Sequence, residues 1–168
     1  MPQKSVAVFD IEAQRLSAEF PFSTLADYIS ANPDYSKRFL EDIQQVLIEF
    51  ELLMVFKKKR EIGSRGKKSY KKLVQDLSQK PNVTIVQPEV SAMQLISQCA
   101  AVISMPFTST ALYWRGHTIP SAYYDPTGWI QRDDRAAHGI PILLGASELR
   151  QWVRETVMHK LHTQHLLS

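Results

Sequence analysis

Along the chain, short continuous apolar runs alternate with stretches in which apolar residues recur every three or four positions. The runs read as strands covered on both faces, and the periodic stretches as helices laying one stripe against them. Ser5 to Phe9 is the first run and leaves through Asp10-Ile11-Glu12. Pro21 to Ala31 predicts a short helix capped by Ser23, interrupted by Asn32-Pro33-Asp34. From Ser36 onward, Phe39, Leu40, Ile43, Val46, Leu47 and Phe50 follow helical spacing, with mostly polar residues between them. Leu52 to Phe56 is a second strand, cut off by Lys57-Lys58-Lys59-Arg60. After a loop marked by Gly63 and Gly66, Lys67 to Gln79 predicts a helix that buries Tyr70, Leu73, Val74 and Leu77. Pro81-Asn82 turns the chain into a third strand, Val83 to Val86. Ser91 with Gln94 has capping-box spacing, and Ala92, Leu95, Ile96 and Cys99 make the next stripe.

Ala101 to Gly128 carries the densest set of signals. Val102-Ile103 is a buried strand that Met105-Pro106-Phe107 breaks, and Thr108-Ser109-Thr110 offers cap hydroxyls to a helix that Gly116 stops. Ser121 to Tyr124 is a fifth strand, and Asp125-Pro126-Thr127-Gly128 is turn chemistry. A polar loop with Arg132, Asp133, Asp134, Arg135 and His138 leads to a sixth, Ile142 to Leu144. Ser147 then caps a final helix bearing Leu149, Trp152, Val153, Val157 and Leu161, with His162 to Ser168 expected to fray. The alternation predicts an α/β fold: a doubly wound parallel sheet of about six strands with helices on both faces, in one domain over residues 1–168.

In such sheets ligands bind beyond the carboxyl ends of the strands, where strand order reverses. The exits here are Asp10 to Glu12, Lys57 to Arg60, Gln87 to Glu89, Met105 to Thr110 and Asp125 to Gly128. A cationic exit on the same edge as a hydroxyl loop that opens a helix is suited to a diphosphate. Thr108, Ser109 and Thr110 are otherwise ordinary helix caps. Asp125 either starts a turn or receives a ribose or sugar hydroxyl, and Glu89 is a dipole-favourable acid or a ribose ligand. His138 is the candidate general base.

Charge sharpens this picture. Net charge is +3, yet nine of the 20 Lys and Arg residues fall between Lys57 and Lys72, against one acid, Glu61. Such a cluster suits an anionic partner, a polyanion or a membrane surface, or else is a solvated face. Cys99 is the only cysteine, which excludes an internal disulfide and fits a cytoplasmic setting. The amino terminus shows no secretory signal, and no run reaches membrane-spanning length. Dinucleotide and Walker glycine motifs, paired Cys-x-x-Cys and Asp-x-Asp are absent, and His159, His162 and His165 lack a carboxylate partner for a metal. Trp114, Trp129 and Trp152 read as core or rim packing.

Several fragments together resemble a known family. VAVFD (Val6–Asp10), NPDYSKRFLEDI (Asn32–Ile43), VFKKKR (Val55–Arg60), ISMPFTSTAL (Ile103–Leu112), IPSAYYDPTG (Ile119–Gly128) and HGIPILLGASELRQW (His138–Trp152) span most of the chain. They look like the carboxyl-terminal, donor-binding half of GT-B type glycosyltransferases, closest to surface carbohydrate or polysaccharide biosynthesis proteins. The resemblance implies a Rossmann-like domain that binds a nucleotide-activated sugar as donor substrate, with no separate cofactor expected; the lack of an Asp-x-Asp points to a metal-independent reaction. It places Lys57, Lys59, Arg60, Thr108, Ser109 and Thr110 at the donor phosphates, and Glu89 and Asp125 near the nucleoside or sugar. Arg135 and His138 fall where a loop closes over the donor. GT-B enzymes have two such domains, and this chain has room for one. The saccharide acceptor is therefore expected to come with a second domain or partner chain, and donor binding without efficient transfer is expected here. Half of a nucleotide-sugar epimerase, or a non-catalytic module that binds a polyanion or saccharide through Lys57 to Lys72, are the alternatives.

Overall fold

The computed structural model describes residues 3–11, 32–58, 67–113 and 118–166. Its centre is a six-stranded sheet, β1 (Gln3–Phe9), β2 (Leu53–Lys57), β3 (Val83–Val86), β4 (Cys99–Ser104), β5 (Ser121–Asp125) and β6 (Ile142–Leu144). All neighbouring pairs are parallel and the spatial order is β3-β2-β1-β4-β5-β6. Strand order reverses between β1 and β4, as in Rossmann-like α/β folds.

The strands alternate their side chains between two apolar layers. One face carries Val6, Val8, Met54, Phe56, Ala101, Ile103 and Tyr124. It is covered by α1 (Pro33–Glu49), α2 (Lys68–Ser78) and the carboxyl-terminal helix. That helix runs as α5 (Gly145–Trp152), a π-helical segment (Val153–Met158) and α6 (His159–Leu166). The opposite face packs Ala7, Phe9 and Val102 against Ile96 of α3 (Ala92–Ser97). Further along, Tyr123 and Ile142 pack with Ala111 of α4 (Ser109–Tyr113) and with Ile130, Ala137 and Ile140 of the β5–β6 connection. Among the described residues no helix is long and apolar enough to cross a membrane.

Four boundaries differ from the sequence reading. Asn32-Pro33-Asp34 starts α1 instead of interrupting a helix: the Asn32 side chain accepts from Asp34 N at 3.1 Å and Pro33 fills the first helical position. Cys99 opens β4 and does not end the α3 stripe. The last helix begins at Gly145, with Glu148 accepting from Leu144 N at 2.9 Å, so Ser147 lies inside the first turn. It also continues to Leu166. The expected helix from Pro21 to Ala31, the loop glycines Gly63 and Gly66, and Gly116 lie outside the described residues.

Candidate functional site

The crevice between β1 and β4 opens where the two strands end. Met105 N donates to Phe9 O at 2.9 Å, and Ile11 N to Met105 Sδ at 3.1 Å, so the exits of β1 and β4 are laced together. The chain then reads Pro106-Phe107-Thr108-Ser109 and enters α4. Phe107 sits at φ 65°, a left-handed conformation that is costly for a bulky side chain, on the order of 1–3 kcal/mol. Its surroundings hold it there. The Phe107 ring meets Tyr123 edge-on, with centroids 5.7 Å apart, and the Tyr123 hydroxyl donates to Thr108 O at 3.2 Å. Burial pushes the Tyr123 hydroxyl above its ordinary value, so it remains a donor. Thr108 N donates back to Met105 O at 3.3 Å.

The three hydroxyls of this loop point to different fates. Ser109 is exposed and Thr110 half-buried, while Thr108 Oγ1 is buried without a hydrogen-bond partner among the described residues. Ser104 Oγ, at the end of β4, is buried and likewise unpartnered among them. Unpaired buried hydroxyls are uncommon and call for an explanation.

On the other side of the crevice, Phe9 pairs with Lys57 of β2 as well as with Ser104 of β4. Two strand spacings, roughly 10 Å, therefore separate Lys57 from Ser104 on one rung and one face. Lys57 is 7% exposed, and its Nζ donates to Pro88 O at 3.0 Å and Lys58 O at 3.2 Å. Neither acceptor is a carboxylate. The lysine thus leans toward the β3 exit, where it fixes the turn that carries the exposed Glu89. Lys59 and Arg60 lie outside the described residues.

Asp10, at the exit of β1, was legible in the sequence only as loop. It is 5% exposed and accepts from the Tyr70 hydroxyl of α2 at 2.6 Å, which ties that helix to the crevice floor.

Asp125 ends β5, 0% exposed. Its Oδ1 accepts from Thr127 N at 2.9 Å and Thr127 Oγ1 at 2.7 Å, and its Oδ2 from Ile130 N at 2.9 Å. These bonds use the carboxylate to shape the Asp-Pro-Thr-Gly turn. From α1, Arg38 Nη2 donates to Pro126 O at 2.8 Å and braces the same turn.

In the β5–β6 connection, Asp134 accepts from Ala136 N at 2.8 Å and caps a single 3-10 turn, Arg135–Ala137. Arg135 and His138 are exposed, and His138 closes the turn at φ 50°. Because Ala137 and Ile140 share their apolar cluster with Tyr123 and Phe107, this turn belongs to the same layer as the loop after β4. The structure therefore groups Thr108, Ser109, Thr110, Arg135 and His138 on the β4–β6 side. Lys57 and Glu89 lie on the β2–β3 side.

Of the tryptophans, Trp152 packs partly buried on the main core, as expected. Trp129 does not: it is 72% exposed, because its neighbour Ile130 takes the inward place. Trp114 lies outside the described residues. A groove of about 420 Å³ between α1 and α2, lined by residues such as Lys37, Gln44, Lys72 and Asp76, shares no residue with the strand exits.

No curated protein and no solved structure matches the chain. A family described as "Polysaccharide biosynthesis PFTS motif protein" matches residues 1–153. The four letters of that description stand in this chain as Pro106-Phe107-Thr108-Ser109, the strained loop at the point where strand order reverses. The chain belongs to this family of polysaccharide biosynthesis proteins.

Proposed function

We propose that the domain binds a nucleotide-activated sugar and serves as the donor-side half of a GT-B type glycosyltransferase. The observation that carries this reading is the Pro106–Ser109 loop: it lies at the sheet's reversal point, is held in a strained conformation, and, with the end of β4, holds two buried hydroxyls, Thr108 Oγ1 and Ser104 Oγ, that have no hydrogen-bond partner among the described residues. Strain retained at a crevice is a pointer to function.

On this reading Thr108, Ser109 and Thr110 hydrogen-bond the donor diphosphate, and Lys57, Lys59 and Arg60 provide positive potential. Glu89 receives a ribose hydroxyl. Asp125 acts through the turn it shapes, since its own oxygens already accept three bonds. Arg135 and His138 approach the donor from the β5–β6 connection, with His138 the candidate proton acceptor. Transfer to a saccharide acceptor then proceeds by stabilising charge on the leaving phosphate. The acceptor is contributed with a second domain or partner chain.

A thermal-shift screen with UDP-, GDP-, CDP- and CMP-linked sugars tests the proposal. One nucleotide class should raise the melting temperature, and Ser109→Ala should weaken its binding about tenfold, the worth of one charge-assisted hydrogen bond. No rise with any nucleotide would sink it. A second reading, a polyanion-binding module, is favoured by the exposed Lys68, Lys71 and Lys72 of α2. It predicts steep salt dependence without nucleotide preference.

A further inference from the structure

Lys57 ends β2, in register with Phe9 on one side and Val86 on the other, and is 7% exposed. An ammonium taken out of water costs stability unless an anion pairs with it, and an apolar side chain would fill the same place without that cost. Among the described residues no carboxylate pairs with this one: Nζ donates to Pro88 O at 3.0 Å and to Lys58 O at 3.2 Å. Pro88 belongs to the exit of β3 and Lys58 to that of β2, so the side chain staples two strand exits together. What it staples is a β-turn. Val90 N donates to Gln87 O at 3.2 Å, with Pro88 at the first corner and Glu89 at the second. Beyond the turn, α3 is anchored by its buried Ile96. Glu89 is exposed and makes no hydrogen bond or ion pair among the described residues. A carboxylate left open on a backbone held at both ends is preorganised for a partner from outside the chain.

We propose that Lys57 is a positioning residue for nucleoside recognition: its ammonium clasps the Gln87–Val90 turn so that the Glu89 carboxylate meets the 2′- and 3′-hydroxyls of a ribose. This role rests on the domain's being donor-binding. Two neighbouring hydroxyls are donors, and an ionised carboxylate offers only acceptors, one oxygen to each. A lysine serving phosphate alone would turn toward the Pro106–Ser109 loop, on the far side of β1. Lys57 turns the other way, toward β3, with Ser104 roughly 10 Å off. Its charge still adds to the potential over the crevice, but its hydrogen bonds set the angle at which Glu89 stands. Selectivity for ribose over deoxyribose therefore passes through a residue that touches neither.

The test is isothermal titration calorimetry on the full chain, with UDP, GDP, CDP and CMP each set against its 2′-deoxy form. For the nucleotide that binds, the wild type should favour ribose about tenfold, the worth of one hydrogen bond to a charged group. Lys57→Met puts an apolar side chain of like length in the same place, and should fold and bring the ratio to within about twofold of unity. The lost charge weakens both forms alike and cancels in the ratio. Lys57→Gln keeps an N–H for Pro88 O, and should lose affinity for both forms while keeping most of the preference. Glu89→Ala should abolish the preference, and adding Lys57→Met to Glu89→Ala should change the ratio no further. A preference left intact by Lys57→Met or by Glu89→Ala would overturn the role, as would its loss in Lys57→Gln. A wild type that binds ribose and deoxyribose forms equally would overturn it too. No nucleotide binding by the wild type would instead remove the donor reading itself, and with it the ribose that Glu89 serves.

Discussion

Asp125 shows how one buried carboxylate organises a strand exit, since three donors from its own turn converge on it. Asp125→Asn keeps the shape but turns one acceptor into a donor facing an N–H. It should lower unfolding free energy by about 2–3 kcal/mol in urea titrations, through lost charge-assisted bonds. Phe107 makes a sharper prediction. At φ 65° alanine keeps the backbone cost and loses the contact with Tyr123, while glycine loses the ring but relieves the backbone. Phe107→Gly should therefore be more stable than Phe107→Ala by about 1 kcal/mol, the reverse of the usual order in ordered segments. Cys99, 2% exposed with its thiol pushed up by burial, should react with a disulfide reagent only at the rate of unfolding. None of these details was legible in the residues alone. Asp-Pro-Thr-Gly announces a turn, but which donors reach the carboxylate depends on where Ile130 packs. Phe107's backbone is set by Tyr123, sixteen positions away.

At the scale of elements, α1 is the main brace. It reaches the β5 exit through Arg38, touches β5 through the Tyr124 hydroxyl, which donates to Asp42 Oδ2 at 2.6 Å, and meets α5 through Glu49, which accepts from Arg150 at 2.7 and 3.0 Å. Tyr124 should matter more than Arg150. Tyr124→Phe leaves Asp42 without that donor and should cost about 1–2 kcal/mol, whereas Arg150→Ala, at a solvated pair, should cost under about 1 kcal/mol; chemical denaturation separates them. Glu148 adds a pH signature. The Arg132 guanidinium, and next the Leu144 N–H, hold its carboxyl below the ordinary value. A depressed folded-state value gives stability that is present above the unfolded value and lost as pH falls through the folded one. The melting-temperature gap between wild type and Glu148→Gln should accordingly close in acid. The elements themselves were largely legible, because continuous apolar strands and periodic helices bury their faces locally. Helix starts were not: Asn32-Pro33-Asp34 is both a break and a cap until the residues after it are seen to pack.

For the whole molecule, the doubly wound parallel sheet, and the edge at which its strands end, followed from alternation and right-handed crossovers. The division of that edge into a β2–β3 side and a β4–β6 side did not, because the lean of Lys57 toward Pro88 is a tertiary choice. Nor did Trp129's exposure, since tryptophan composition favours burial.

The strand order also governs how the chain comes together during synthesis. β1, first of the six to be made, occupies the middle of the sheet, and its second neighbour, β4, begins only at Cys99. β2 and β3 can join β1 as soon as they emerge, but its other edge stays open until some 90 further residues exist, roughly five to twenty seconds of elongation. During that interval the apolar backbone of Val6 to Phe9 offers unpaired donors and acceptors to any other strand. A nascent chain halted after Val86 should therefore engage chaperones or self-associate, and one released with the carboxyl-terminal helix complete should not.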